Sequence, residues 1–134
     1  MRRAVQLPQT YQHQAALFRA VSHPARVAII GVLRGGEQCV CHLEASLGLR
    51  QSFISQQLMV LRRAGLVEDR RDGWNIFYRL TTVGQRLEVA LTTAGYRHEG
   101  GPKAIREGSA CPCPKCSRKR GLHGLPRRDQ HARS

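Results

Sequence analysis

No apolar run in these 134 residues approaches the ~20 needed for a membrane-spanning helix, so a span of that kind is excluded. The opening residues, Met1-Arg2-Arg3-Ala4-Val5-Gln6-Leu7-Pro8, lack the long apolar stretch of a secretory signal. The chain is therefore expected to act in the cytoplasm, with no membrane partner. Acidic residues are also scarce, nine Asp and Glu against 22 Lys and Arg. Those nine include no paired set suited to general acid/base chemistry, and Cys41-His42 lacks an evident orienting group, so no enzyme is expected. The five cysteines form an odd set in two clusters, which argues against a disulfide framework. Metal binding or redox sensing by reduced thiols fits them better.

What the chain has in excess is positive charge, a formal +13 at pH 7. Residues 1–100 carry 13 basic and seven acidic side chains, a net +6, and residues 101–134 carry nine and two, a net +7. A surface of that sign calls for a polyanion, with nucleic acid ahead of an anionic membrane.

The periodicity predicts one small domain over 10–98, between an N-terminal extension (1–9) and a basic, Cys-containing tail (99–134). A helix is expected from Thr10 to Val21, with Ala16, Leu17, Ala20 and Val21 on its apolar stripe. A second, over 23–33 with Ser22 as N-cap and Val27, Ile30 and Leu33 inward, ends at Gly35-Gly36. A short third helix is expected over 39–47, broken at Gly48. A fourth, capped by Ser52 and carrying Ile54, Leu58 and Leu61 at helical spacing, runs to Ala64 and stops at Gly65. The period then changes, and residues 67–71 and 75–80 read as two strands around Asp72-Gly73. Thr81 or Thr82 caps a last helix with Val83, Leu87, Ala90, Leu91 and Ala94 on its stripe. Three compact helices, a hairpin and a closing helix make a mainly α winged helix-turn-helix.

With these elements in place, the chain resembles the ArsR/SmtB family of metal-responsive repressors from about Ala16 to Leu91. The residues that carry the resemblance are Ser22-His23-Pro24-Ala25-Arg26, the Cys39-Val40-Cys41 segment and Gln51-Ser52-Phe53-Ile54-Ser55-Gln56-Gln57-Leu58. Further on they are Leu61-Arg62-Arg63-Ala64-Gly65-Leu66-Val67, Arg70-Arg71-Asp72-Gly73-Trp74 and Phe77-Tyr78-Arg79-Leu80. The resemblance implies a homodimer, paired through its first and last helices, that binds a palindromic operator in double-stranded DNA and lets go when a ligand binds.

A recognition helix offers polar side chains to the major groove, and here Gln51, Ser52, Ser55, Gln56 and Gln57 are the candidates. Arg62 and Arg63, a turn or more further on, are expected to meet phosphates. Arg70, Arg71 and Arg79 on the wing are expected to reach phosphates or a narrow minor groove. Trp74 is expected to pack at the base of the hairpin.

Cysteine thiolates select soft ions. Cys39 and Cys41 are two residues apart and do not share a face of a regular helix, so joint ligation needs them at a frayed helix start. There the helix N-terminus also favours the thiolate. The thiol-sensing branch of the resembled family has Glu-Leu-Cys-Val-Cys-Asp-Leu at this place, and this chain departs from it at Gln38 and His42. Glu44 stands where the arsenic-sensing branch has a third cysteine. A three-thiolate site then needs a donor from the tail, Cys111 or Cys113 ahead of Cys116. As(III) or Sb(III) is the inducer that the resemblance implies, with Cd(II), Pb(II) and Hg(II) as alternatives. The three tail cysteines also admit a structural Zn(II) site of their own, with His123. A redox repressor that forms disulfides between the clusters is a further alternative. The family's other sensing site, Asp and His on the last helix, is not matched, since that helix has only Glu88 near its middle. His13, His23 and His42 read as surface or capping residues, with His42, beside Cys41, also placed to support a thiol site from behind.

Overall fold

The computed structural model describes residues 6–97. Five helices and three short strands follow in the order α1 (Gln9–Val21), α2 (Pro24–Leu33), β1 (Gln38–Cys39), α3 (Val40–Leu47), α4 (Gln51–Arg63), β2 (Val67–Asp72), β3 (Asn75–Leu80) and α5 (Thr82–Thr93). This is a winged helix-turn-helix. The three strands form one antiparallel sheet in the order β1-β3-β2. The chain turns through 90° between α1 and α2, and no single helix is long and apolar enough to cross a membrane.

The core lies where α2, α3 and α4 meet the sheet. Ile29, Ile30, Leu43, Ile54, Leu58, Leu61 and Leu66 are fully buried in one cluster. Each such side chain contributes about 1.5–3 kcal/mol by leaving water. The inward stripe of α2 is Ala25, Ile29, Ile30 and Leu33 rather than one led by Val27, which is only half-buried. The helix Pro24–Leu33 is apolar on nearly every side, so its sequence alone did not single out a face.

The ends of the elements explain the turns. His23, not Ser22, caps α2, its Nδ1 accepting the Ala25 N–H at 3.1 Å. Ser22 instead closes α1, its hydroxyl donating to the Arg19 carbonyl at 2.9 Å. The α4 helix starts one residue before the expected cap, so Ser52 lies inside it and Arg50 holds the cap position without a side-chain bond. Between the two, Gly48 at φ 66° ends α3 in a left-handed conformation that an L side chain resists.

Two corners fix α4. His23 and Arg26, three apart at the start of α2, meet Phe53 and Gln57, four apart on one face of α4. The His23 and Phe53 rings lie 6.0 Å apart, and Arg26 Nε donates to Gln57 Oε1 at 2.8 Å. Arg26 also donates to the Arg19 and Ala20 carbonyls at the end of α1, at 3.4 and 3.2 Å. At the other end, the Thr81 hydroxyl donates to the Gly65 carbonyl at 2.6 Å and accepts the Gly84 N–H at 3.2 Å, capping α5.

At that second corner α5 crosses the chain so closely that a Cβ on Gly84 would overlap the Leu66 carbonyl. Gly84→Ala is expected to cost about 1–3 kcal/mol, the usual range for overpacking a rigid site, read as a lower thermal midpoint with unchanged secondary structure. At the first corner, Gln57→Ala strands a charged donor at a partly buried site. It is expected to lower the urea midpoint by the equivalent of about 1–3 kcal/mol, whereas the exposed neighbour Gln56→Ala leaves that midpoint unchanged.

Candidate functional site

The first site is the surface formed by α4 and the hairpin. Gln51, Ser52, Ser55 and Gln56 are exposed on the N-terminal half of α4, while Ile54 and Leu58 hold the opposite face in the core. Gln57 departs from the sequence expectation. It is buried at 8% exposure and bound to Arg26, so it braces the helix instead of facing outward with the other four. Nothing in the local sequence marks this, because the partner, Arg26, lies 31 residues earlier.

All five cationic candidates, Arg62, Arg63, Arg70, Arg71 and Arg79, are exposed. Three of them also meet carboxylates of the same chain. Arg62 pairs with Asp69 at 3.2 Å and Arg79 with Glu68 at 2.6 Å. Arg70 grips Glu37 through both Nε and Nη2, the shortest contact being 2.5 Å, and lies 3.8 Å from Asp72. Its guanidinium also sits 5.0 Å from the centre of the Phe77 ring. The hydrogen bonds to Glu37 raise the pKa of Arg70 further above its ordinary value.

Trp74 is not at the hairpin base. The β2–β3 register pairs Asp72 with Asn75, so the two central turn residues are Gly73, at φ 60°, and Trp74 itself. The indole stands at the tip of the wing with 102% exposure. The turn lies one residue later than Asp72-Gly73 suggested.

The second site is the thiol pair. The expected third helix over 39–47 begins instead at Val40, because Cys39 is the last residue of β1 and pairs with Phe77 of β3. Cys39 is extended (φ −82°, ψ 164°) and Cys41 lies in the first turn of α3, so the strand-to-helix junction turns both side chains to one place. Their sulfurs are 3.6 Å apart, and Cys39 is 4% exposed. With Phe77 they form a small apolar cluster separate from the main core. A two-residue strand has no periodicity to read, and β1 was missed for that reason.

Two sulfurs on one tetrahedral thiolate-bound ion at ~2.3 Å stand ~3.8 Å apart, so the observed spacing suits a shared soft ion with little rearrangement. No third His, Cys, Asp or Glu completes a cluster among the described residues. Cys111, Cys113, Cys116 and His123 lie outside them. His42 is buried, not at the surface, whereas His13 is exposed and His23 is a cap. Glu88 of α5 is buried, accepts from Thr92 at 3.2 Å and lies 3.8 Å from Arg34, a tie between α2 and α5.

The model of "Bacterial regulatory protein, arsR family" matches residues 23–69, from the His23 cap to the start of the wing. A biofilm growth-associated repressor of Agrobacterium fabrum is 50% identical over 66 residues, 49% of this chain and 56% of that protein. The repressor of the same name from Xylella fastidiosa is 48% identical over 80 residues, 59% of this chain and 70% of that protein. Among solved structures, reduced HlyU from Vibrio cholerae superposes with a TM-score of 0.61 at 30% identity, covering 66% of this chain and 95% of that one. With the fold, the helix-turn-helix surface and these relatives in agreement, the chain belongs to the ArsR family of bacterial regulatory proteins and is a DNA-binding transcriptional regulator, not an enzyme.

Proposed function

We propose that this regulator is a repressor that acts as a homodimer on a palindromic operator and releases it when Cys39 and Cys41 together bind a thiophilic metal(loid), As(III) or Sb(III) first. The observation that carries this reading is the thiol pair, 3.6 Å apart where α3 leaves the strand that pairs with the wing. Such an ion, when bound, supplies strong bonds to thiolates that fix them in one arrangement. The chain supplies two donors from the β1–α3 junction, and a third comes from Cys111, Cys113 or Cys116. Cd(II), Pb(II) and Hg(II) suit the same donors, and Zn(II) in the tail alone is the structural alternative.

Exposed apolar side chains on the first and last helices support the homodimer. Tyr11 and Phe18 on α1 and Val83 and Val89 on α5 are exposed in the single chain, as surfaces awaiting a copy of it would be. On the DNA side, Gln51, Ser52, Ser55 and Gln56 would read bases, while Arg62, Arg63, Arg70, Arg71 and Arg79 would hold phosphates.

Two routes lead from the thiols to that surface. The α3 helix packs on α4 through Leu43, Ile54 and Leu58. The β1 strand pairs with β3 of the wing, and Glu37, two residues before Cys39, holds Arg70. Ligation that re-sets β1 therefore moves the carboxylate that competes with phosphate for Arg70.

Oxidation is the second reading. The neighbouring HlyU structure is of the reduced protein, and with peroxide as the two-electron oxidant, leaving as water with the two thiol protons, sulfurs 3.6 Å apart are close enough to form a bond of ~2.05 Å.

Reduced full-length protein, bound to a labelled operator duplex and followed by anisotropy, separates these readings. Near-stoichiometric As(III) is expected to weaken binding by roughly 5–150-fold, the range of allosteric couplings of ~1–3 kcal/mol. Cys39→Ser and Cys41→Ser are expected to bind DNA normally and to lose that response. A full response in both variants would remove these thiols from the sensor, and release by peroxide without any ion would favour the redox reading. Glu37→Gln is expected to free Arg70 for one more phosphate per protomer. The slope of log affinity against log salt then steepens by about 0.9 per protomer, and an unchanged slope would leave Arg70 on the protein in the complex.

A further inference from the structure

We infer that Trp74 is a DNA-contacting residue, an indole at the wing tip that enters the minor groove beside the bases faced by α4. The inference rests on the DNA-binding reading above and adds to it an apolar contact at a position the arginines do not occupy.

Three observations carry it. The first is placement. Trp74 is a central residue of a two-residue turn, a position that usually takes Gly, Asn, Asp or Ser, and it is fully exposed. An indole buries roughly 150–250 Å² when it finds a partner. Left in water at a turn, it contributes nothing to this fold, whose core is complete without it.

The second is charge. Arg70 and Arg71 precede the turn and Arg79 lies on the returning strand, so the ribbon that carries the indole is cationic at several positions. Glu37 and Glu68 lie on Arg70 and Arg79, and Asp72, at the mouth of the turn, lies 3.8 Å from Arg70, which leaves Arg71 exposed beside the turn. A polyanion is the partner that rewards the arginines and the aromatic tip together.

The third is shape. The minor groove is ~6 Å wide, too narrow for a helix but not for one ring at the end of a two-stranded ribbon. Apolar side chains inserted there part-unstack a base step and bend the duplex toward the protein. An aromatic that stacks on a base or lies against sugars is worth ~1–3 kcal/mol per contact by alanine substitution, about a 5–150-fold change in affinity. It also tolerates many sequences, so it would favour deformable steps over particular bases.

Trp74 is the only tryptophan in the chain, so intrinsic fluorescence reports on this residue alone. The probe is a duplex selected by the full-length protein from a random-sequence library. Titration of that unlabelled duplex is expected to change the emission and to shield the indole from acrylamide, both saturating where anisotropy of the labelled duplex saturates. Trp74→Ala is expected to weaken binding by about 5–150-fold, with unchanged circular dichroism because the side chain touches nothing in the fold. Trp74→Phe should keep most of the affinity. Protection of adenine N3 from methylation, a minor-groove readout, should be lost at the outer flanks in the alanine variant.

If the wild type binds the duplex while its emission and quenching stay unchanged and Trp74→Ala binds equally well, the inference is overturned and the DNA-binding reading stands. If the wild type selects and binds no duplex, both fall together. Fluorescence changes without any loss of affinity in Trp74→Ala would mean that the tip is merely near the DNA, which also overturns the assignment.

Discussion

The placement of the DNA-facing helix depends on one cation. Arg26 reaches out of the first turn of α2 to the carbonyls that end α1 and to Gln57 on α4, so three helices share a single guanidinium. The last carbonyls of α1 have no partners within their own helix and carry its negative dipole end, which is where a guanidinium is most welcome. Hydrogen bonds to a charged group contribute about 1.5–3 kcal/mol. Their geometric consequence matters more. Gln57 held inward, with Ile54, Leu58 and Leu61 in the core, sets the rotation of α4 about its axis, and that rotation leaves Gln51, Ser52, Ser55 and Gln56 in solvent. His23 adds a second point of contact through Phe53, one turn earlier on the same face. The Ser-His-Pro-Ala-Arg motif is thus a mount for the recognition helix.

Negative charge is concentrated on the opposite task. Of the seven acidic residues in positions 1–100, Glu37, Glu68, Asp69 and Asp72 all lie against arginines at the α4–wing end. Exposed pairs of this kind add little stability. On the proposed reading they make phosphate binding an exchange, in which an anion of the DNA replaces a carboxylate of the protein. An exchange is weaker than simple attraction and depends on how firmly each carboxylate is placed. Without those four carboxylates the net charge would rise from +13 to +17, and the pull toward any duplex with it.

Much of this was legible from the sequence, and the parts that were not share a cause. Helical spacing placed Ile54, Leu58 and Leu61 in the core, and Gly48 and Gly65 punctuated the helices as glycines at positive φ do. The Cys39–Cys41 pair had to leave regular helix to share a ligand, and it does so, through a strand end and not through fraying. Features decided by a partner distant in sequence were not legible. Gln57 has the same local context as Gln56 and differs only in what Arg26, 31 residues earlier, presents to it. The β1 strand exists only because β3 offers an edge, and its two residues have no pattern of their own. Trp74 was placed at the hairpin base from composition, but a one-residue shift of the turn carried it to the tip.

The burial of Cys39 bears directly on how a thiol signal reaches DNA. A ligand shifts a two-state protein only by its differential affinity for the two states. An exposed pair of cysteines binds an ion equally well in both, and its occupancy then changes nothing downstream. Here Cys39, on the edge strand β1 itself, is 4% exposed, in a cluster with Phe77. On the reading proposed above, an ion reaches the buried Cys39 from the side of the half-buried Cys41, and it acts as a signal only if the state that binds it tightly differs in the β1–β3 pairing. Disturbing that pairing shifts Glu37 relative to Arg70 on one side and α3 relative to α4 on the other. On that reading, the packing of Cys39 against Phe77 of β3 is what couples ligation to wing geometry.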